Sequence, residues 1–432
     1  MGLEPDFSID DKRWVMPTNA FVKGLLAASL AGIVVMPPAS AHEQSSRVTE
    51  LLAAPIRAER QQPVTIVPVR RHMGKLAIDA SVNGVERQFI FDTGSPTIIS
   101  RSFADELDLE VVGSNVGADA NGTPVRMEIA IVSRLTIGDS TFFDVPVMIH
   151  DFDALDLGPC FFDGGLIGSE IFPGQAWRVD LQAQTLEIAS DSASFARGDG
   201  VKDAIEAPLH DYGYPHAPIV DYAVGKMQDK ALVDTGNSEA LSLYAEALRS
   251  ADVRDAIVAG TQQKGRGSHG TSSGGHGEVG DLARMTLDGV RLGEDPVGTI
   301  EVLIRPVPPS LFGLGLMKNH RVTLDYPNGV ARFERMAGDD PTSDRAGFAV
   351  ASRGENFVVV QLYAGSRADT SGLRLGDHVL AIDEHALDAS DRQARCETTR
   401  WLTGGDHVDN AHTVTVARDG EAIPMTLRPS AN

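Results

Sequence analysis

Two tripeptides in this chain have the composition of an acid/base pair. Asp92-Thr93-Gly94 and Asp234-Thr235-Gly236 each follow a short apolar run, Phe89-Ile90-Phe91 and Ala231-Leu232-Val233. One aspartate followed by glycine is an ordinary turn. Two carboxyls within hydrogen-bonding distance are different: both cannot ionise cheaply, so they share a proton and their apparent pKa values split. The ionised member can take a proton from a water between them while the protonated member donates to a carbonyl oxygen. General base and general acid then act on one tetrahedral intermediate, and the scheme calls for no metal and no cofactor. The neighbours suit that task. Gly94 and Gly236 let the backbone turn tightly beside the carboxylates. Thr93 and Thr235 offer small hydroxyls to brace the facing loop. Ser95 is placed to donate to the outer oxygen of Asp92, and Asn237 to do the same for Asp234.

The elements that must position these residues are duplicated. Aligning the two tripeptides brings Val82 onto Val224, Asp79 onto Asp221 and Ile99-Ser100 onto Leu241-Ser242 without a gap. Downstream, at a slightly longer offset, Leu166-Ile167-Gly168 matches Leu311-Phe312-Gly313 and Val179-Asp180 matches Leu324-Asp325. This is an internal repeat with a small net insertion in its second copy. In the first copy Leu76, Ile78, Ala80 and Val82 alternate as in a half-buried strand. Asn83-Gly84 predicts a tight hairpin turn, and Arg87 to Phe91 returns to deliver Asp92. In the second, Ile219 to Val224 turns at Gly225-Lys226 and returns to Asp234. Short helices are expected near Ser102 to Leu109 and Leu243 to Ala251. Strands are expected over Arg126 to Val132, Phe142 to Ile149, Trp177 to Ile188, Ala283 to Leu287, Thr299 to Ile304 and Arg321 to Phe333. Gly260 to Gly280 is rich in Gly, Ser and His and lacks apolar anchors, which predicts a mobile segment. Its His269 and His276 have no fitting acidic or cysteine partners, so no metal site is expected.

Phe91-Asp92-Thr93-Gly94-Ser95 and Val233-Asp234-Thr235-Gly236-Asn237 resemble the paired active-site loops of the retropepsin-like bacterial aspartic peptidases. The Leu166 to Gly168 and Leu311 to Gly313 motifs resemble the segments that support those loops from behind. The resemblance implies a mainly β fold with two pseudo-symmetric β-lobes, residues 72–200 and 201–336, forming one bilobal aspartic peptidase unit. Asp92 and Asp234 would be its catalytic pair, supported by Thr93, Gly94, Ser95, Thr235, Gly236 and Asn237, and its substrate a peptide or protein. The flaps would lie around Gly117 to Met127 and Gly260 to Val279. Two features depart from the pepsin-like pattern: no tyrosine lies between Asp92 and Gly168, and Asn237 stands where serine or threonine is usual.

Residues 345–429 resemble a small α+β PDZ domain. Gly347-Phe348-Ala349-Val350 resembles its carboxylate-binding loop, and Gly365-Ser366-Arg367-Ala368, Gly372-Leu373 and Gly376-Asp377 match the bacterial pattern. This implies docking of peptides or protein C-terminal tails by β-augmentation. The alternative reading is a catalytically silent envelope adaptor that binds peptides through this module.

With 432 residues, 42% hydrophobic and 23% charged, the chain has a globular composition. A formal charge of −22 argues against nucleic acid as a partner. Lys23, the apolar run Gly24 to Met36 and Ala39-Ser40-Ala41 read as an export signal over residues 1–41, which implies a periplasmic or secreted protein, or an anchored one if the signal is uncleaved. No later stretch would span a bilayer. Residues 42–71 read as a linker or short propeptide. Cys160 and Cys396, in different expected domains, read as separate buried thiols, although export would permit their oxidation.

Overall fold

The computed structural model describes residues 48–196, 204–336 and 345–428. The expected signal segment lies outside the described residues. In the first half, strand Lys75–Val82 pairs with Val85–Phe91, and Val82 opposes Val85. The two turn residues, Asn83 and Gly84, both have positive φ (51° and 92°), the geometry whose twist suits a two-residue hairpin. Val85–Phe91 then runs parallel to Gly165–Ile167, with Phe91 opposite Ile167. Ile98–Ser100 lies antiparallel to Gly165–Ile167 and parallel to Ser140–His150. The second half has the same connections. Ile219–Val224 pairs with Met227–Val233, which runs parallel to Ser310–Phe312 with Val233 opposite Phe312. Leu241–Tyr244 lies antiparallel to Ser310–Phe312 and parallel to Asp295–Arg305. The expected first helix spans Arg101–Glu106. The region expected as a second helix is split into the end of that strand, a 3-10 turn Ala245–Arg249 and a short helix Ala251–Asp255.

A shared sheet joins the halves. Ala176–Asp180 pairs with His320–Asp325, and each continues into its own hairpin, with Thr185–Ala189 and Val330–Arg335. The segments expected as single strands, 177–188 and 321–333, are therefore hairpins. Asp180 makes the first turn by accepting the backbone N–H groups of Gln182 and Ala183; Asp325 makes the second by accepting that of Asn328. Below the first aspartate loop, Phe91, Phe142 and Phe172 pack around Trp177, which is 1% exposed. Burying side chains of this size contributes about 1.5–3 kcal/mol each.

Further expectations are corrected. First, residues 42–71 are not merely a linker: Arg57–Arg60 pairs with Ser140–His150, and Val64–Pro68 pairs with Thr185–Ala189. Val67 enters the core and the Thr65 hydroxyl bonds that of Ser140, so cleavage within this segment would strip strands from both sheets. Second, the Gly-rich segment is paired. Gln263–Ser268 lies between Val279–Leu292 and the C-terminal strand Asn356–Tyr363. Backbone pairing replaces the missing apolar anchors, and close approach explains the glycine: a Cβ on Gly267 would sit 2.2 Å from the Val360 carbonyl oxygen. Third, Cys160 and Cys396 are not separate thiols but form a disulfide, with Cα atoms 5.9 Å apart. The fourth concerns Ser95 and Asn237, below.

The C-terminal module has its own core, including Phe357, Val359, Ile382, Val414 and Val416. Phe348–Arg353 pairs with Asn356–Tyr363, and Thr413–Arg418 with Glu421–Thr426. A helix not anticipated from the sequence, Arg392–Thr403, is capped by the Asp391 carboxylate. Among the described residues no helix is long and apolar enough to cross a membrane.

Candidate active site

Each aspartate sits at the end of a strand that is buried at that point. The Asp92 N–H donates to the Ile167 carbonyl (2.9 Å) and the Asp234 N–H to that of Phe312 (2.8 Å), so the backbone of each loop continues the parallel pairing beneath it. Behind each loop a glycine permits contact. A Cβ on Gly168 would lie 2.2 Å from the Ser95 oxygen, and one on Gly313 would lie 2.5 Å from the Asn237 oxygen. The third residue of each supporting motif is therefore glycine for want of space.

The two loops clasp one another through their threonines. The Thr93 hydroxyl donates to the Val233 carbonyl (2.6 Å) and accepts the Thr235 N–H (3.0 Å). The Thr235 hydroxyl donates to the Phe91 carbonyl (2.7 Å) and accepts the Thr93 N–H (3.0 Å). Both threonines are buried, where satisfied hydrogen bonds fix geometry most firmly.

That clasp brings the carboxyls together. A Cβ on Gly94 would lie 2.7 Å from the Asp234 carboxyl, and one on Gly236 would lie 2.6 Å from the Asp92 carboxyl. Each acid thus packs on the glycine of the opposite loop, and each carboxyl acts on the ionisation of the other. The Gly94 N–H bonds Asp92 Oδ1 (3.0 Å), and the Gly236 N–H bonds Asp234 Oδ1 (2.7 Å). Burial, then the charge of Asp234, push the Asp92 carboxyl up to about 7. Burial also raises Asp234, but Lys75, the Gly236 N–H, the bond from Asp92 and Arg305 all oppose it. Both carboxyls are thus held up, and the cations Lys75 and Arg305 weigh more on Asp234 than on Asp92.

Ser95 and Asn237 do not hold the carboxylates. The Ser95 hydroxyl donates to the Pro96 carbonyl (2.9 Å). The Asn237 side chain instead organises its own loop, its oxygen accepting from the Ser242 hydroxyl (3.2 Å) and the Glu239 N–H (3.4 Å). Ser95 turns back onto its own backbone and Asn237 onto Glu239 and Ser242, and the glycine N–H groups take the carboxylate contacts instead.

Three charged residues near the loops escape a reading of the sequence. Lys75 reaches across to the Gly236 carbonyl. Arg305 donates to the carbonyls of Pro309 (2.8 Å) and Ala120 (3.1 Å), with its charge acting on Asp234. Buried Glu170 accepts the Thr97 N–H (2.8 Å) just beyond the first loop, and burial raises its carboxyl to about 7. Only its place two residues after the Leu166-Ile167-Gly168 motif points to Glu170 in the sequence; nothing local marks Lys75 or Arg305.

The segments expected as flaps are hairpins whose tips touch. The Gly274 N–H donates to Asp119 (3.0 Å), and the Ala120 N–H donates to the Ser272 hydroxyl (3.2 Å). In the C-terminal module, Gly347 has φ +82°, its carbonyl accepts the Tyr363 N–H (2.9 Å), and Phe348, Ala349 and Val350 begin the strand that follows. Phe348 is buried in the module's core.

A family model described as "Aspartyl protease" matches residues 78–171, the stretch that carries Asp92 and its supporting motif. No curated protein matches the chain. At family level the match supports a retropepsin-type aspartyl protease, a hydrolase acting on peptide or protein substrates, built on a mainly β fold.

Proposed function

We propose that this chain is an aspartic endopeptidase whose two halves, related by duplication, each supply one member of a single catalytic pair. The observation that carries the reading is the crossed packing of each carboxyl on the opposite loop's glycine. In the working state Asp234 takes a proton from a water lodged between the acids, and that water attacks the peptide carbonyl. Asp92 donates its proton to the carbonyl oxygen, and the tetrahedral intermediate then collapses with protonation of the leaving amine. Thr93, Thr235, Gly94 and Gly236 keep the acids close; the Ser95 and Asn237 side chains shape the loops without touching the carboxyls. The touching hairpin tips are the elements that must part to admit a substrate. The C-terminal module is read as a PDZ-like peptide-docking domain, and the N-terminal segment as an export signal that places the enzyme in the periplasm or outside the cell.

Asp92→Asn and Asp234→Asn should each abolish cleavage of a diverse peptide library while preserving the circular dichroism of the wild type. Cleavage that survives both substitutions would end this reading.

A further inference from the structure

The only two cysteines of the chain, far apart in sequence, meet between the first half and the C-terminal module. Cys396 lies on the helix Arg392–Thr403, and Cys160 on the one-turn helix Gly158–Phe161 of the first half. The turn just before that short helix brings Asp156 between the helix Arg392–Thr403 and the strand Phe348–Arg353. Its carboxylate accepts from the Ser352 hydroxyl (2.8 Å) on the strand and from Arg395 (3.3 Å) on the helix. One side chain thus bridges strand and helix and fills the cleft a peptide-binding module would keep there, and its charge also acts on Arg353 and His276 beside it.

We propose that the Asp156–Cys160 segment is a built-in occupant of this cleft, locked there by the disulfide, and that opening the disulfide lets an external acidic peptide take its place. The inference rests on reading the C-terminal module as a peptide-binding fold and is independent of the dyad. A partly exposed carboxylate with two such partners holds weakly by itself. Tethered but unlocked, the segment competes only at an effective concentration on the order of millimolar, whereas the covalent link keeps it in place against any ligand. Cys160 is the more exposed cysteine, so a dithiol reductant attacks its sulfur. The S–S bond breaks and Cys396 leaves as a thiolate. The second reductant thiol resolves the mixed disulfide, so the protein gains two thiols as the dithiol is oxidised by two electrons. The ligand predicted for the freed cleft is a peptide carrying an internal carboxylate between short apolar residues, as in Leu155-Asp156-Leu157.

The test uses full-length protein carrying Asp92→Asn, which prevents the probe from being cleaved. The probe is a fluorescent peptide of residues 151–162 with serine in place of Cys160, followed by anisotropy. Dithiothreitol should strengthen binding at least tenfold, Cys160→Ser should do the same without reductant, and Arg395→Met should remove the gain. Reductant titration of the unaltered cysteines keeps the test valid if Cys160→Ser fails to fold. Equal affinity in the two redox states would overturn the locking role. Absence of binding in every state, or indifference to Arg395→Met, would overturn the cleft as a peptide site.

Discussion

The two aspartate loops are alike where they meet and unlike where they are held. At the meeting point every contact has its counterpart: threonine to carbonyl, threonine to N–H, glycine against carboxyl. Behind the loops the solutions differ. In the first half, buried Glu170 accepts the Thr97 N–H, and the Thr97 hydroxyl accepts the Gly168 N–H (2.9 Å). In the second half, Gly315 stands where Glu170 would align. It packs directly on the Ala240 backbone, with its N–H bonded to the Glu239 carbonyl (3.1 Å). A shared proton demands that the two carboxyls be presented alike, whereas a brace needs only to be rigid. Symmetry is therefore confined to the place where the two loops meet.

The sharpest way to break that comparison is at the crossed glycines. Gly94→Ala and Gly236→Ala should each reduce kcat/KM on a cleavable peptide by at least about a hundredfold, since an ångström of misplacement at a catalytic group costs that much. A large loss in one variant with near-normal activity in the other would show that the loops are not equivalent.

Next in size is the stability stored against the acids. Asp92 titrates near 3.8 when unfolded and is raised to about 7 when folded, so its favourable protonated state is lost as pH rises between those values. Asp92→Asn should therefore be more stable than wild type at pH 7.5, by up to about 4 kcal/mol, and should lose that advantage below pH 4. Urea unfolding at the two pH values measures this, and an unchanged difference would contradict the burial of a protonated acid.

The braces should respond differently. Glu170→Ala leaves the buried Thr97 N–H without a partner, at a cost of about 1–3 kcal/mol, while Glu170→Gln keeps an acceptor and should be close to neutral. Gly315→Ala places a Cβ 2.4 Å from the Ala240 nitrogen and should cost a similar amount through overpacking. Thermal melts of the three variants would separate a polar brace from a steric one.

The smallest effect expected is on the pH profile. Lys75 favours the ionised form of both acids, so Lys75→Met should move the alkaline limb of kcat/KM to higher pH; Arg305 still opposes protonation of Asp234 in that variant. A profile that stays in place would remove Lys75 from the electrostatics of the pair.

Much of this centre is legible in the chain because it is local. An apolar strand that delivers an aspartate, and a glycine that turns the chain beside it, are short-range instructions written twice. Ser95 and Asn237 mark the limit: their positions follow from the repeat, but their hydrogen bonds depend on which acceptor the folded loop brings nearest. The strands Arg57–Arg60 and Val64–Pro68 are hidden because each is short and adds to the edge of a sheet built much later in the sequence.

The amino-acid order by itself determined the duplicated loops, their supporting glycines and the turns between strands, since backbone conformation there depends on near neighbours. Only the tertiary structure decided which charges face the acids, how Glu170 braces the first loop, and that Cys160 meets Cys396. Those pairings join residues far apart along the chain, and proximity in space, not sequence spacing, sets their energy.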